Sequence, residues 1–351
     1  MAKRPGDKHL SPKERRDLVA RVNALFNDHN RGDAYKIAAK EAGVHPATAE
    51  LWTTRFKREG IKVPLTYPVN VEPLASADFE VITPEPASQK TVLVPITERT
   101  LEMIVSDVHV PYHDQAAWQL FLDVAHDLQP QILVLLGDMM DMYGVSAHDK
   151  DPNRATPAAF KEELIVMRQF LQEIRETLPN TRIFYKEGNH ETRLSRYILK
   201  NAPALSNLSV VTLPELLNLK DLSIEWIGNN ERLRIGKLWH IHGNEIGGGG
   251  QNPARLKYLR MQTNFIFGHL HTRDKYRPMA YDGQQHGAWA NPCLCRLDAE
   301  YLHHASSWSL GFSPVHHDSD GTFQVEETEV IKTSGHSAKC FVLGKSYEVS
   351  L

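Results

Sequence analysis

Hydrophobic positions recur at helical spacing three times within residues 1–60. Ser11-Pro12-Lys13-Glu14 opens the first run: Ser11 can cap, Pro12 suits the first helical position, and Glu14 stands where a capping box needs it. Leu18, Val22, Leu25 and Phe26 then carry a helix to about Asn27. A second helix is predicted from a cap near Asp33 through Tyr35, Ile37, Ala38 and Ala39 to Gly43. A third runs from about Pro46 to Lys57, with Gly60 as its stop. The tight Gly43-Val44-His45-Pro46 connection gives a helix-turn-helix-like pattern with residues 46–58 in the recognition position. On that helix Leu51, Trp52 and Phe56 are expected to form the buried seam. Thr48, Thr54, Arg55 and Arg58 are expected to face outward, where they can reach phosphates or base edges.

Residues 61–98 hold Pro64, Pro68, Pro73, Pro84, Pro86 and Pro95 with no sustained period, the pattern of a linker or an extended arm. The pattern then becomes strand–helix–strand. Strands are predicted at Leu101–Ser106, Ile132–Leu136, Arg182–Tyr185, Leu238–Ile241 and Phe265–Phe267, with helices over about Gln115–Leu128 and Ala158–Leu178. Continuous apolar strands separated by helices imply a sheet covered on both faces. Ligand sites in such sheets lie at the carboxyl ends of the strands.

Composition sharpens the outline. The balance is that of a globular chain, and no apolar run approaches the ~18 residues a spanning helix needs. The basic start, Met1 to Asp7, leads into no apolar stretch, so no secretory signal is expected. Three cysteines cannot build a disulfide framework or a four-thiolate zinc site, which fits a cytoplasmic protein. The net charge of -3 is unevenly spread: residues 1–60 carry thirteen Lys and Arg against eight acids, a basic head on an acidic body. Eighteen histidines invite a search for metal ligands.

Each predicted strand delivers a polar cluster at its end. In order these are Asp107-Val108-His109, Gly137-Asp138, Gly188-Asn189-His190-Glu191, His242-Gly243-Asn244 and Gly268-His269-Leu270-His271. Asp107, His109, Asp138, Asn189, His242, His269 and His271 are oxygen and imidazole donors without a thiolate, a set suited to Mn, Fe, Zn or Ni. Seven side chains exceed one ion's needs and suit two ions sharing a carboxylate. Such a pair, ~3.5–4 Å apart, clamps a phosphate and lowers the pKa of a shared water that then attacks. In an extended chain both residues of Asp-x-His or His-x-His point to one side, so both can reach one site. Gly-Asn-His-Glu is expected by chance only on the order of 0.01 times, and five such blocks in order are not an accident.

With Asp141 added to the second block, these motifs resemble the five signature blocks of the calcineurin-like metallophosphoesterases, over about residues 100–330. The resemblance implies an α/β fold, a four-layer αββα sandwich of two mixed sheets flanked by helices, here behind a small all-α N-terminal domain. It implies that Asp107, His109 and His271 bind one metal, that Asn189, His242 and His269 bind the other, and that Asp138 bridges them. His190 is then a non-ligand histidine beside the scissile phosphate, protonating the leaving oxygen or stabilising phosphoryl charge. Asp141 matches the acid that orients this histidine in the phosphoprotein-phosphatase branch. That branch continues with Arg-Gly, where this chain has Met142-Tyr143, and has Gly where Val110 stands; a serine/threonine phosphatase reading is weakened. Arg193 is a candidate phosphate contact, with helix capping or a pair with Glu191 as its alternatives.

The expected organisation is residues 1–60 basic and helical, 61–98 linker, 99–335 catalytic, and 336–351 a tail with an edge strand. The expected cofactor is a pair of divalent ions, manganese ahead of iron, zinc or nickel, and the expected partner is DNA, reached through residues 1–60. The reaction expected is hydrolysis of a phosphate ester, DNA ahead of a small molecule such as a nucleotide or cyclic nucleotide, in which case residues 1–60 serve assembly. A DNA-binding protein with a vestigial metal site is the reading from another class. Oligomeric state stays open, a homo-oligomer included. Gly247–Gly250 predicts a mobile loop, and Arg255, Lys257 and Arg260 beyond it form either a solvated face or a strand-gripping rim. Cys293 and Cys295 are expected to pack on a strand, His303-His304 and His316-His317 to lie at the surface, and Trp289 and Trp308 to lie in the core.

Overall fold

The computed structural model describes residues 10–25, 30–58, 90–147, 151, 156–279, 281, 283–284, 286–298 and 307–351. The predicted helix end at Phe26 and Asn27, the stop at Gly60, most of the linker and His303-His304 lie outside the described residues. The chain divides into two compact units, Met1–Pro84 and Glu85–Leu351.

In the first unit, α1 spans Pro12–Leu25, α2 Arg31–Ala42 and α3 Pro46–Arg58. The capping box closes as expected: Ser11 N donates to Glu14 Oε2 (2.8 Å) and Glu14 N to Ser11 Oγ (3.3 Å). The cap of α2 is Asn30 rather than Asp33, because the Asn30 side chain accepts from Asp33 N one turn in. Gly43, at φ +67°, ends α2 in the left-handed region that favours glycine. Leu18, Val22, Leu25, Ala34, Ala38 and Ala49 form the core. The expected seam of α3 is corrected in one place: Ala49 and Phe56 are buried and Trp52 is half-buried, but Leu51 is 48% exposed. Leu51 is two residues from Ala49, about 200° round the helix, so it falls on the opposite face. Trp52 is covered instead by cations, with the Arg15 guanidinium 4.3 Å and the Arg55 guanidinium 5.1 Å from its ring.

In the second unit, β1 (Thr91–Val94), β2 (Thr100–Val105), α4 (Gln115–Leu128), β3 (Ile132–Leu135), α5 (Pro157–Thr177), β4 (Arg182–Lys186) and α6 (Thr192–Asn201) come first. They are followed by α7 (Leu213–Leu216), β5 (Ile224–Ile227), β6 (Arg232–Ile235), β7 (Leu238–Ile241), α8 (Pro253–Met261), β8 (Phe265–Phe267), β9 (Asp274–Tyr276) and β10 (Ala288–Ala290). The remainder is β11 (Gly311–His317), β12 (Phe323–Val325), β13 (Thr328–Glu329), β14 (Ile331–Lys332), β15 (Ser337–Val342) and β16 (Lys345–Ser350).

Two mixed sheets result. One runs β12-β11-β2-β3-β4-β5, with β2 to β5 parallel, β11 antiparallel to β2, and β13 pairing β11; the other runs β1-β6-β7-β8-β10-β9. Alternation along the strands fixes the layers. Ile104, Val134 and Phe184 from the first sheet pack with Leu233, Leu238, Ile266 and Trp289 from the second, so the sheets face each other. Met103, Val105, Leu133, Leu135 and Ile183 point the other way, against α4 and α5. Ile241, Phe265, Phe267 and Ala288 pack under Ala254 of α8. Helices, sheet, sheet and helix make the four layers of an αββα sandwich.

Three segments differ from expectation. Residues 91–94, within the expected linker, pair in parallel with β6 as a sheet edge. The C-terminal stretch is more than one edge strand: β15 and β16 form a hairpin that joins β14 in a third sheet. Ala338, Cys340 and Val342 of that hairpin share the apolar cluster of α4, and Lys345 and Tyr347 bind Asp127 on the helix. His317, expected at the surface, is 3% exposed: it points inward from β11, where buried Glu102 of β2 takes its Nε2 at 2.7 Å. Among the described residues no helix is long and apolar enough to cross a membrane.

Candidate metal centre

The five strands legible in the sequence end at one mouth. Just past β2, β3, β4, β7 and β8 come Asp107 and His109, Asp138, Asn189 and His190, His242, and His269 and His271 respectively. Twelve non-glycine residues have a left-handed φ among those described, and five are in this set: Asp107 (+55°), His109 (+51°), Asp138 (+51°), His269 (+70°) and His271 (+57°). Such backbone is costly for side-chain-bearing residues and gathers at functional sites. It also corrects an expectation. His269 and His271 are not on an extended chain: both have left-handed φ, and they fall in different donor groups of the one mouth.

Asp107, His109 and His271 form one group and Asp138, His242 and His269 another, while His109, Asp138 and His190 form a third that overlaps both. His109 Nε2 faces His271 Nε2 at 3.0 Å, and His271 Nε2 lies 3.2 Å from Asp107 Oδ1. Across the site His242 Nε2 is 3.2 Å from both Asp138 Oδ2 and Asn189 Oδ1. Lone pairs thus converge on two points with Asp138 between them. Two imidazole nitrogens facing each other beside a buried carboxylate suit a cation, so the donor set fits a pair of divalent ions. Second contacts fix the ligands. His242 Nδ1 meets Leu136 O at 2.8 Å, and His269 N donates to both oxygens of Asp107 at 3.0 and 2.9 Å. Gly137 admits no side chain, since a Cβ would lie 2.6 Å from His242 Nδ1.

Electrostatics are strongly coupled here. Burial pushes the Asp138 carboxyl up, but His242, His190 and His109 more than offset this and hold it well below the usual carboxylate range. Burial lowers the His242 imidazole, yet Asp138 and Asp107 raise it to about 10. His190 goes the other way: burial pushes it down to about 3, against the pull of Asp138.

Asp141 and Arg193 join His190 at the rim. His190 Nδ1 contacts the backbone carbonyl of Asp141 at 2.8 Å, while the Asp141 carboxylate is 3.6 Å from that nitrogen and 3.5 Å from His109 Nδ1. Arg193 donates to Asp141 O (2.7 Å) and its Nη2 lies 2.8 Å from His190 Nε2. It therefore neither caps α6 through its side chain nor pairs with Glu191.

Several neighbours carry no legible sequence signal. Buried Glu163 on α5 accepts from Met142 N, and burial raises its carboxyl to about 8. Lys257 corrects both readings of the basic helix: it is 2% exposed, with Nζ bound to Gly243 O (2.7 Å) and Ile246 O, and so pins the glycine-rich loop from beneath. Arg255 and Arg260 do remain exposed. Cys293 and Cys295 are buried as expected, with Cys295 Sγ 3.9 Å from His271 Nδ1; a hydrogen bond with Cys293 and burial push the Cys295 thiol up. Trp289 is core, and half-buried Trp308 packs against the main core while meeting the His271 ring edge-on at 4.1 Å.

Two facing mixed sheets, helices on both outer faces, and five motif blocks meeting at one set of strand ends decide the architecture. The chain is a four-layer αββα sandwich with its motif blocks at one end, as the resemblance to calcineurin-like metallophosphoesterases implies. No protein-family model matches it. It is 26% identical over 224 residues to the Gene 54 protein of Mycobacterium phage L5, covering 60% of this chain and 86% of that one. It is 27% identical over 225 residues to the Gene 54 protein of Mycobacterium phage D29, at the same coverage. Solved structures similar to this chain include wild-type Vps29 complexed with zinc from Entamoeba histolytica, 14% identical, covering 71% of this chain and 98% of that one with a TM-score of 0.36. Another is a dimetal phosphatase from Danio rerio, 13% identical, covering 72% and 98% with a TM-score of 0.31. The architecture is that of this chain's own strands and motifs.

Proposed function

We propose that this protein is a metal-dependent phosphoester hydrolase. The observation that carries this reading is the placement of buried Asp138 between two groups of convergent donors, at the open end of both sheets. Asp107, His109 and His271 would hold one divalent ion, Asn189, His242 and His269 the other, with Asp138 common to both. When bound, such a pair neutralises phosphate charge and generates a nucleophile from water at neutral pH.

The chain's own residues shape the rest. His190, neutral and with Nδ1 bonded to a carbonyl, keeps its proton on Nδ1 and leaves Nε2 to accept from Arg193. In that state His190 has neither a charge nor a free N–H to offer the phosphate, so its part in stabilising phosphoryl charge is to hold Arg193 in place. Arg193, held by two contacts, keeps further N–H groups for a phosphate oxygen, the grip that phosphoprotein phosphatases take from their Arg-Gly position.

A phosphodiester in DNA is the substrate we favour, over a nucleotide or cyclic nucleotide. It is supported by the helix-turn-helix-like order of α2 and α3, with Thr54, Arg55, Lys57 and Arg58 exposed on α3 and Thr48 half-buried. The test is incubation of Mn-loaded protein with end-labelled single- and double-stranded DNA and with an aryl phosphate ester, beside Asp138→Asn. Cleavage of DNA by the wild type alone, weakened in Arg55→Ala/Arg58→Ala, supports both parts. Hydrolysis of the aryl ester with intact DNA keeps the hydrolase and discards DNA; no metal-dependent hydrolysis of either discards both.

A further inference from the structure

Glu191, the fourth residue of Gly-Asn-His-Glu, is 1% exposed and lies behind the metal centre rather than in it. Its carboxylate takes five donors. Oε2 accepts from Asp138 N and Gly188 N, both at 2.9 Å. Oε1 accepts from Met139 N (2.8 Å), Met140 N (3.3 Å) and the Tyr185 hydroxyl (2.9 Å). Three successive backbone N–H groups, 138 to 140, thus point at one side chain. Such a concavity of amides is the kind that binds a free anion, and here the chain fills it with its own carboxylate.

This arrangement has a directional consequence. Asp138 has φ +51°, an unfavourable conformation for a residue with a Cβ. Its N–H is tied backward to Glu191, while its carboxylate projects forward, with Oδ2 toward His242 and Oδ1 accepting from His190 N at 2.8 Å. Gly188 closes the same knot: a Cβ there would collide with Asp138 Oδ1 and N and come within 2.9 Å of Glu191 Oε2. Two carboxylates, Glu191 and Asp138, are thereby kept near each other in a buried site. That costs electrostatic free energy unless a cation sits beyond Asp138.

We infer that Glu191 is a positioning residue for the metal pair: its carboxylate, gripping the 138–140 amides and Gly188, sets the Asp138 side chain in the orientation that lets one carboxylate serve both ions. The inference rests on the two-metal reading above, and it concerns no residue that touches substrate. Replacing one acceptor oxygen by an amide puts N–H groups against N–H groups in the nest. The 138–140 turn must then relax, and the bridge is what suffers.

The test titrates the full chain with Mn2+ by equilibrium dialysis and records the electron paramagnetic resonance of the manganese, for wild type, Glu191→Gln and Glu191→Asp. The shortened Glu191→Asp keeps the charge but cannot reach every amide, and it serves if Glu191→Gln does not fold. The expected result is two ions with a spin-coupled spectrum in the wild type. Each variant should bind its second ion 10–100-fold more weakly and lose the coupling, the usual range for an outer partner of a metal ligand. A merely structural role would lower thermal stability and leave coupling intact at saturating metal. Two coupled ions at wild-type affinity in a folded variant overturn the inference. A wild type that binds no second ion overturns instead the two-metal reading on which it stands.

Discussion

Two clusters of histidine and carboxylate lie along one strand, and they do opposite things. Glu102 sits within β2, between His240 of β7 (Nε2 2.6 Å from Oε1) and His317 of β11 (Nε2 2.7 Å from Oε2), all three sealed between the sheets. Asp107 lies just past the end of the same strand, at the mouth. In the inner cluster one carboxylate gives each oxygen to one imidazole, so its acceptors are used within the cluster. At the mouth, two carboxylates, an asparagine and four imidazoles aim lone pairs at common points, and His109 and His271 meet nitrogen to nitrogen. The residue types are the same. An excess of acceptors over donors, built on left-handed backbone past a strand end, makes one cluster fit for metal and the other a brace between sheets.

This contrast can be broken by substitution. The largest effect expected is from Asp138→Asn, which should lower metal-dependent hydrolysis by about 10^3-fold or more, since it removes the carboxylate proposed to serve both ions. Apo stability should fall as well, because Asp138 is the buried carboxylate that pairs with His242; thermal melting of the apo protein beside hydrolysis assays checks both halves. Glu102→Ala should lower stability alone. Leaving two buried histidines without their carboxylate should cost about 3–5 kcal/mol, read by denaturant unfolding, while activity per folded molecule is unchanged.

Acid should separate the clusters next. Burial raises Glu102, but His240 and His317 more than offset it and hold the carboxyl at about 2 rather than its usual 4.5. A depressed carboxyl contributes stability that is complete above its unfolded pKa and lost as pH falls through the folded one. About 3 kcal/mol should therefore disappear between pH 4.5 and 2 in the wild type and not in Glu102→Gln, as followed by denaturant midpoints. The smallest signal is at the mouth. His242 in the metal-free protein is raised to about 10, so it carries a proton at neutral pH that an ion must displace. Calorimetric titration of Mn2+ in two buffers of different ionisation enthalpy should show proton release, and affinity should tighten as pH rises toward 10. Equal heats in both buffers would contradict the assignment of His242 as a ligand.

Much of the mouth was legible in the sequence because its candidate donors are short motifs placed at the ends of continuous apolar strands, where period and donor type speak together. The five strands and helices α4 and α5 were recovered within a residue or two for the same reason. β1, β6 and β9 were not: they are short, lie at or near sheet edges, and carry polar residues such as Arg232, Arg234 and Lys275, which breaks the apolar run. Nor could the partners of the ligands be read. Glu163 stands twenty-one residues from Met142, and Glu102 stands 215 residues from His317, so only folding brings them together. Lys257 was misread because a helical cation defaults to solvent, and the carbonyls it satisfies belong to a loop with no period of its own. Leu51 shows the limit within one helix, where a half-turn of phase exchanges seam and surface.

The most direct test of the account is an anomalous scattering map, at the manganese edge, from crystals of the full chain grown with Mn2+. The account predicts two peaks about 3.5–4 Å apart, one beside Asp107, His109 and His271 and one beside Asn189, His242 and His269, with the Asp138 carboxylate between them and nothing at Glu102. A single peak, no peak at the mouth, or density in the Glu102 cluster would contradict it.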